Sequence, residues 1–243
     1  MAELPITWLP TDGAPEFPPI DNALPVPNGL LAVGGSLDTA RLELAYKRGI
    51  FPWFEEGQPV LWWSPDPRTL IYTDQLHISR SLRRSLRRPD YTVSLDRAFP
   101  LVMRRCAAPR PGQKGTWITR DMFAAYVRLH QRGQAHSVEV WRGEALIGGL
   151  YGVSLGRGFF GESMFSDETN GSKIALTWLV RQLRRWQFPF LDCQVGSGHL
   201  YSLGAVDVPR RRFQQELNEA VAQPPPPGPH WQFDGDFHPL DES

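Results

Sequence analysis

The run HSVEVWRGEALIGGLYGVSLGRGFFGESMFS, from His136 to Ser166, decides the fold class. It divides into three strand-like segments, HSVEVWRG, EALIGGLYGVSLG and GFFGESMFS, rich in β-branched and aromatic residues and joined by short glycine turns. That pattern predicts an antiparallel meander. Downstream, KIALTWLVRQLRRWQ repeats Leu176, Leu179, Leu183 and Trp186 at helical spacing, with Ser172 as its expected cap. FPFLDCQV follows as a compact apolar strand, HLYSLGA as a short helix ended by Gly204, VDVPRRRF as a last strand, and RFQQELNEAV as a polar terminal turn or helix.

Upstream, Thr69 to Thr73 reads as a strand and His77 to Arg88 as a helix, and TRDMFAAYVRLHQRG is a helix capped by Thr119 and ended at Gly133. The order strand, helix, helix, meander, helix, strand, short helix, strand is that of the acyltransferase fold related to N-acetyltransferases. The expected class is therefore α+β, a mixed N-acetyltransferase-like sheet with helices. The first 30 residues are proline-rich and should wrap over a surface, and Ser36-Leu37-Asp38-Thr39 offers caps for RLELAYKRG. FPWFEEGQPVLWWSPDPR carries four prolines, which places a domain boundary near Asp66. Residues 1–66 are expected to form a small N-terminal domain and 67–243 the main one, with a proline-rich, extended tail from about 222.

The 243 residues are 41% hydrophobic with zero formal net charge, so a sizeable core is expected and any footprint for nucleic acid must come from local clustering. Cys106 and Cys193 are the two cysteines, without CxxC spacing, which argues against a disulfide framework or structural zinc. No export signal or membrane-length apolar run is visible, so a cytoplasmic location off the membrane is expected. Several of the nine tryptophans sit beside proline, as in Phe51-Pro52-Trp53-Phe54 and Leu61-Trp62-Trp63-Ser64-Pro65. These are either binding platforms or plugs at a domain joint.

Two motifs mislead. Gly156, Gly158 and Gly161 spell GxGxxG, but they lead into an aromatic strand rather than a helix, so they read as a hairpin turn and close-approach positions. Gly161-Glu162-Ser163-Met164-Phe165 lacks the second glycine of a nucleophile elbow. None of the six histidines has HxxxH or HExxH spacing, and no metal or organic cofactor is expected.

Two constellations survive. ISRSLRRSLRR sets Arg80, Arg83, Arg84, Arg87 and Arg88 over an arc of about 140° at 100° per residue, opposite Ile78, Leu82 and Leu86. Arginines so clustered suit RNA phosphates, although a solvated basic face is the plain alternative. In Leu191-Asp192-Cys193-Gln194, alternation puts Asp192 and Gln194 on one face, and Glu162 and Met164 share a face of the preceding strand. If those strands are neighbours, Glu162, Asp192 and Gln194 converge. Polar groups in apolar strands need partners or work.

The strings PNGLLAVGGSL, AYKRGIFPWF, LWWSPDPR, LHISRSLRR, GTWIT, AHSVEVW, GGLYGV, FFGESMFS, SKIAL, LDCQV and SLGAVDVPRR, in that order from Pro27 to Arg211, closely resemble the bacterial leucyl/phenylalanyl-tRNA-protein transferases. The resemblance implies a small N-terminal domain packed on an N-acetyltransferase-like domain, related to the aminoacyltransferases that build peptidoglycan bridges. It implies transfer of leucine or phenylalanine, more weakly methionine, from aminoacyl-tRNA to proteins beginning with arginine or lysine, marking them for degradation; neither DNA nor a membrane is an implied partner. Trp53 and Trp117 look like the aromatics that hold the terminal adenosine. Met164, Leu150, Leu176, Leu179 and Leu183 resemble the lining of the amino-acid pocket, with leucine at some positions where relatives carry bulkier residues. Asp192 and Gln194 fall on the family's catalytic strand, Glu162 on its substrate-binding carboxylate, and the helix arginines on its tRNA surface. An asparagine that relatives carry before the histidine is replaced within Gly196-Ser197-Gly198-His199, where Ser197 is expected to keep a substrate-binding hydrogen bond.

The chemistry this implies is mild. An ester donor is already activated, and an α-amine with a pKa of about 8 is partly uncharged at neutral pH, so positioning supplies most of the acceleration. Asp192 is expected to orient and partly deprotonate the amine, directly or through Gln194. The alternatives are an acyl-CoA N-acetyltransferase, for which SDETNGSK is too acidic and glycine-poor a pyrophosphate loop, and a non-catalytic tRNA-binding module.

Overall fold

The computed structural model describes residues 6–109, 116, 118–226 and 228–241. The chain opens with β1 (Thr7–Leu9), β2 (Leu30–Gly34), α1 (Thr39–Lys47), β3 (Phe51–Pro52) and β4 (Leu61–Trp63), whose strands form a sheet in the order β1-β2-β4-β3. Asp38 caps α1 by accepting the Arg41 N–H at 2.8 Å. Gly49 ends the turn after it at φ +69°, where a Cβ would stand 2.7 Å from the Phe213 ring.

Then come β5 (Arg68–Tyr72), α2 (Arg80–Leu86), β6 (Thr92–Leu95), α3 (Phe99–Ala107), α4 (Arg120–Gln131), β7 (Ala135–Arg142), β8 (Ala145–Leu155) and β9 (Gly158–Ser166). The chain continues through α5 (Gly171–Arg185), β10 (Phe190–Gln194), α6 (Gly198–Tyr201), β11 (Val206–Val208) and α7 (Arg210–Val221). Seven strands form one mixed sheet in the order β11-β5-β10-β9-β8-β7-β6. Every pairing in it is antiparallel except β9 with β10, which α5 joins by a crossover.

The meander β7–β8–β9 lies where its sequence predicts, with Gly156 in the turn at φ +56°. The proline-rich start does not merely wrap over a surface, nor is 51–68 only a linker, because β1 to β4 pair there into a sheet; β6 and α3 also go beyond the sequence reading. β6 is a short edge strand of alternating polar and apolar residues, and α3 receives its start from far away, because Glu139 on β7 accepts the N–H of Ala98 at 3.2 Å. Ser172 does not cap α5. Asn170 does so in the left-handed region at φ 68° with no side-chain bond, and the helix begins where Gly171 slides against Gly148 on β8. A Cβ on Gly148 would lie 2.6 Å from Gly171 Cα. α2 is shorter than expected, running from its Ser79 cap to Leu86, so Arg87 is its C-cap and Arg88 lies beyond it.

Each face of the large sheet has its own core. One is closed by α1, α3, α4 and α7 together with the small sheet, bringing Tyr46, Phe51, Trp62, Phe99, Tyr126 and Phe213 into one cluster. The other is closed by α2 and α5, through Leu82, Leu86, Leu176, Leu179 and Leu183. The tail is not merely an extended appendage. It seats Trp231 in this second core, stacked on His136 with centroids 3.7 Å apart, and lays Phe233 and Phe237 against Trp178 of α5. Among the described residues, no helix is long and apolar enough to cross a membrane.

Candidate active site

Glu162 is the extra residue of a β-bulge. Tyr151 pairs with Ser163 and Gly152 with Gly161, so Glu162 has no partner on β8. The bulge reverses the alternation of β9. Phe160 belongs to the first core and Met164 packs against the second, so Glu162 and Met164 lie on opposite faces instead of sharing one. Glu162 keeps the face of Phe160, toward α1 and α4, and the one inserted residue turns Met164 over to the face of α5.

There the Tyr46 hydroxyl donates to Glu162 Oε1 at 2.7 Å and the Tyr126 hydroxyl to Oε2 at 2.9 Å, while the two phenol oxygens also contact each other. Two phenols supply two protons for three oxygen–oxygen contacts: with Glu162 ionised both donate to it, and when Glu162 is protonated its carboxyl donates to one phenol, which then donates to the other. Burial pushes the Glu162 carboxyl up to about 7, against the opposing pull of its phenol partners. Burial likewise raises both phenols well above their ordinary value, keeping them neutral donors.

From β10, Gln194 Nε2 donates to Glu162 Oε1 at 2.9 Å. The predicted convergence of Glu162 and Gln194 is therefore present. Asp192 faces the same core, but it is fully buried and does not line the cleft. Arg68 Nε and Nη2 hold its two oxygens at 2.8 and 2.7 Å, and Oδ1 also accepts the Gln194 N–H at 2.8 Å. Direct approach of an amine to Asp192, one of the two routes anticipated, is closed by these partners.

Glu162 and Gln194 open into a cleft of about 1170 Å³, with Cys193, Val195 and Ser197 along one wall and Phe51, Trp53 and Trp63 along another. Trp53 is 49% exposed and lies 5.7 Å from Trp63, whose Nε1 donates to the Trp53 carbonyl at 2.7 Å. Trp53 and Trp63 line the cleft with their rings tilted to each other, whereas Trp62 plugs the core and donates to the Gly34 carbonyl. Trp117 lies outside the described residues. Ser197 reaches the cleft, and its hydroxyl caps α6 by accepting the Leu200 N–H.

Leu150, Leu176, Leu179 and Leu183 are buried in the second core and do not line the cleft, and neither does Met164. Cys193 connects the two regions, lining the cleft while packing on that core; burial raises its thiol far above the usual range. Arg80, Arg83, Arg84 and Arg87 are exposed on and just after α2, and Arg88 turns away to pair with Asp90. Sequence reasoning misses Tyr46 and Tyr126, which read as ordinary helix positions, and it misses Arg68. The signal for Arg68 is a single cation in one apolar strand matching a single anion in another.

Among the described residues, Asp96, His130 and His230 bring potential ligand atoms within 4.8 Å of one another. Asp96 is already committed to the N–H groups of Ser137 and Trp231 and to His136 Nδ1, and His130 Nδ1 pairs with the Ala135 carbonyl. The bond from the Trp231 N–H ties the tail to this cluster.

Residues 70–218 match the leucyl/phenylalanyl-tRNA protein transferase family, and residues 35–66 match its N-terminal domain. The chain belongs to this family. A leucyl/phenylalanyl-tRNA–protein transferase of Cellvibrio japonicus is 54% identical over 226 residues, covering 93% of this chain and 96% of its own. One from Hahella chejuensis is 60% identical, over 84% of this chain and 88% of the relative. As a member of this family, the protein is an aminoacyltransferase. The structure of L-PGS from Bacillus licheniformis is similar over 69% of this chain and 54% of its own, at 12% identity and a TM-score of 0.37.

Proposed function

We propose that the protein transfers leucine or phenylalanine, and more weakly methionine, from aminoacyl-tRNA to the N-terminal arginine or lysine of acceptor proteins in the cytoplasm, forming a peptide bond and marking them for N-end-rule degradation. The observation that carries this reading is the Glu162–Gln194 pair at the base of a cleft with an exposed tryptophan at its rim. The terminal adenosine stacks on Trp53, supported by Trp63 and joined by Trp117. The RNA backbone runs over Arg80, Arg83, Arg84, Arg87 and Arg88. The donor side chain packs first on Cys193, and its pocket among Met164, Leu150, Leu176, Leu179 and Leu183 requires that closed core to open behind Cys193; a chain unbranched at Cβ can enter there, whereas a β-branched one has its bulk at the wrong carbon.

Glu162 binds the acceptor ammonium and takes one proton from it. A carboxyl at about 7 is close enough to an ammonium at about 8 for that transfer at neutral pH. Gln194 holds the ester region. The amine nitrogen then bonds to the ester carbon, the C–O bond to the ribose breaks, and the second amine proton leaves with the ribose hydroxyl. Asp192 acts through Gln194, and Ser197 orders the wall beside it.

The finer architecture belongs to the same reading: residues 1–66 as a small domain and 67–243 as an N-acetyltransferase-like domain. The lone parallel pair of the large sheet, β9 with β10, supports it. Against an acyl-CoA substrate, the first N–H groups of α5 are already engaged, Gly171 with the Glu168 carbonyl and Ser172 with the Ser166 hydroxyl. Transfer assayed in parallel with leucyl-, phenylalanyl-, methionyl- and valyl-tRNA tests the proposal. Equal use of the valyl donor would sink the pocket assignment.

A further inference from the structure

Each nitrogen of the Arg68 guanidinium has a hydrogen-bond partner, in a place where no reactant reaches. It is buried between Phe51 and Phe213, with its guanidinium carbon 4.9 and 4.6 Å from their ring centroids. Its Nε and Nη2 fork onto Asp192, and Nη1 donates to the Gly49 carbonyl at 2.9 Å. Gly49 follows α1, the helix that carries Tyr46, a partner of Glu162. Asp192 precedes Gln194, another partner of Glu162.

The link from Asp192 to Gln194 needs a restraint. Register between β10 and β5 shifts between these two residues, and Gln194 adopts φ +65°, a region unfavourable for a residue with a Cβ. The bond from the Gln194 N–H to Asp192 Oδ1, at 2.8 Å, closes this turn. An Asp192 carboxylate gripped on both oxygens by a planar fork has one orientation only, so the turn has one as well.

We propose that Arg68 is a positioning residue for aminoacyl transfer: by fixing Asp192 and the Gly49 carbonyl together, it sets Gln194 and Tyr46 in register on Glu162. This rests on the reading of the cleft as the transfer site. Arg68 touches no reactant and works through its neighbours, and Asp192 is the intermediate link.

The test compares Arg68→Met, Arg68→Lys, Asp192→Asn and the Arg68→Met/Asp192→Asn double variant in the full chain, with folding checked by circular dichroism. The expected result is a kcat about tenfold to a hundredfold lower in Arg68→Met, with the KM for leucyl-tRNA unchanged, since small misplacements of reacting groups act at this scale. Arg68→Lys, which keeps the charge but not the fork, recovers part of the loss, and the double variant is no worse than Asp192→Asn alone. Wild-type kcat in Arg68→Met beside a severe loss in Asp192→Asn would overturn the proposal, because Asp192 would then act on the reactants itself. Should Arg68→Met not fold, Arg68→Lys decides: kcat equal to wild type overturns it. The Glu162 carboxyl pKa, followed by carbon-13 NMR, reads the same point without turnover. It rises in Arg68→Lys as the Gln194 bond loosens, and an unchanged value contradicts the proposal. Failure of the wild type to transfer would count against the proposed function instead, leaving the NMR result to judge Arg68.

Discussion

Gln194 Nε2 and the Tyr46 hydroxyl donate to the same oxygen of Glu162, at 2.9 and 2.7 Å, while Tyr126 holds the other oxygen at 2.9 Å. The carboxylate is thus fixed from β10, α1 and α4, leaving its open side to the cleft. Glu162→Gln keeps the shape and removes the proton acceptor. Loss of a positioned general base costs about a hundredfold or more, so kcat should fall by that order with tRNA binding intact. Retention of near-wild-type kcat would remove Glu162 from proton transfer.

The raised Glu162 pKa makes two pH predictions of opposite sense. Transfer needs the ionised carboxylate, so kcat/KM rises with pH through about 7, and this limb disappears in Glu162→Gln. Stability moves the other way. The folded state holds this proton more tightly than the unfolded chain, whose carboxyl has the ordinary value of 4.5, so folding stability from this group falls as pH rises from there to about 7. The full effect is at most about 3 kcal/mol, and less because the cleft admits water to the group. Denaturant titration above neutral pH should find Glu162→Gln the more stable protein; a less stable variant contradicts the raised pKa.

Trp231 fills the second core from the tail, packing on His136, Phe159, Trp186 and Phe188. Trp231→Ala leaves a large cavity and should cost about 3 to 5 kcal/mol. Urea unfolding measures it. A change below about 1 kcal/mol would mean that the tail is not seated as described.

The arginines of α2 should set the salt dependence of tRNA binding. Arg83→Ala and Arg84→Ala should each weaken binding and reduce the slope of log K against log salt by about one for each phosphate left without its arginine. Arg88→Ala should change it less, because Arg88 is already paired with Asp90. Filter binding across salt concentrations distinguishes them, and equal effects from all three contradict the assignment.

The order of elements from β7 to α7 was legible because each segment carries its own periodicity, and Glu162 and Gln194 were legible as polar residues in apolar strands. What escaped depends on distant partners. The start of α3 is bonded by Glu139 from another strand, and Tyr46 and Tyr126 are ordinary helix positions until Glu162 is placed between them. Met164 faces opposite to what alternation predicts, because alternation cannot reveal a bulge at Glu162. The tail looked unstructured by composition, yet a few aromatics suffice to dock it once His136 and Trp178 offer flat surfaces.

The most direct measurement is transfer of radiolabelled leucine from leucyl-tRNA to a model protein beginning with arginine, with a glycine-starting protein and the Glu162→Gln variant alongside. The account predicts label on the arginine protein alone, and little with the variant. Label on both acceptors, or none on either while tRNA binding is intact, would contradict it.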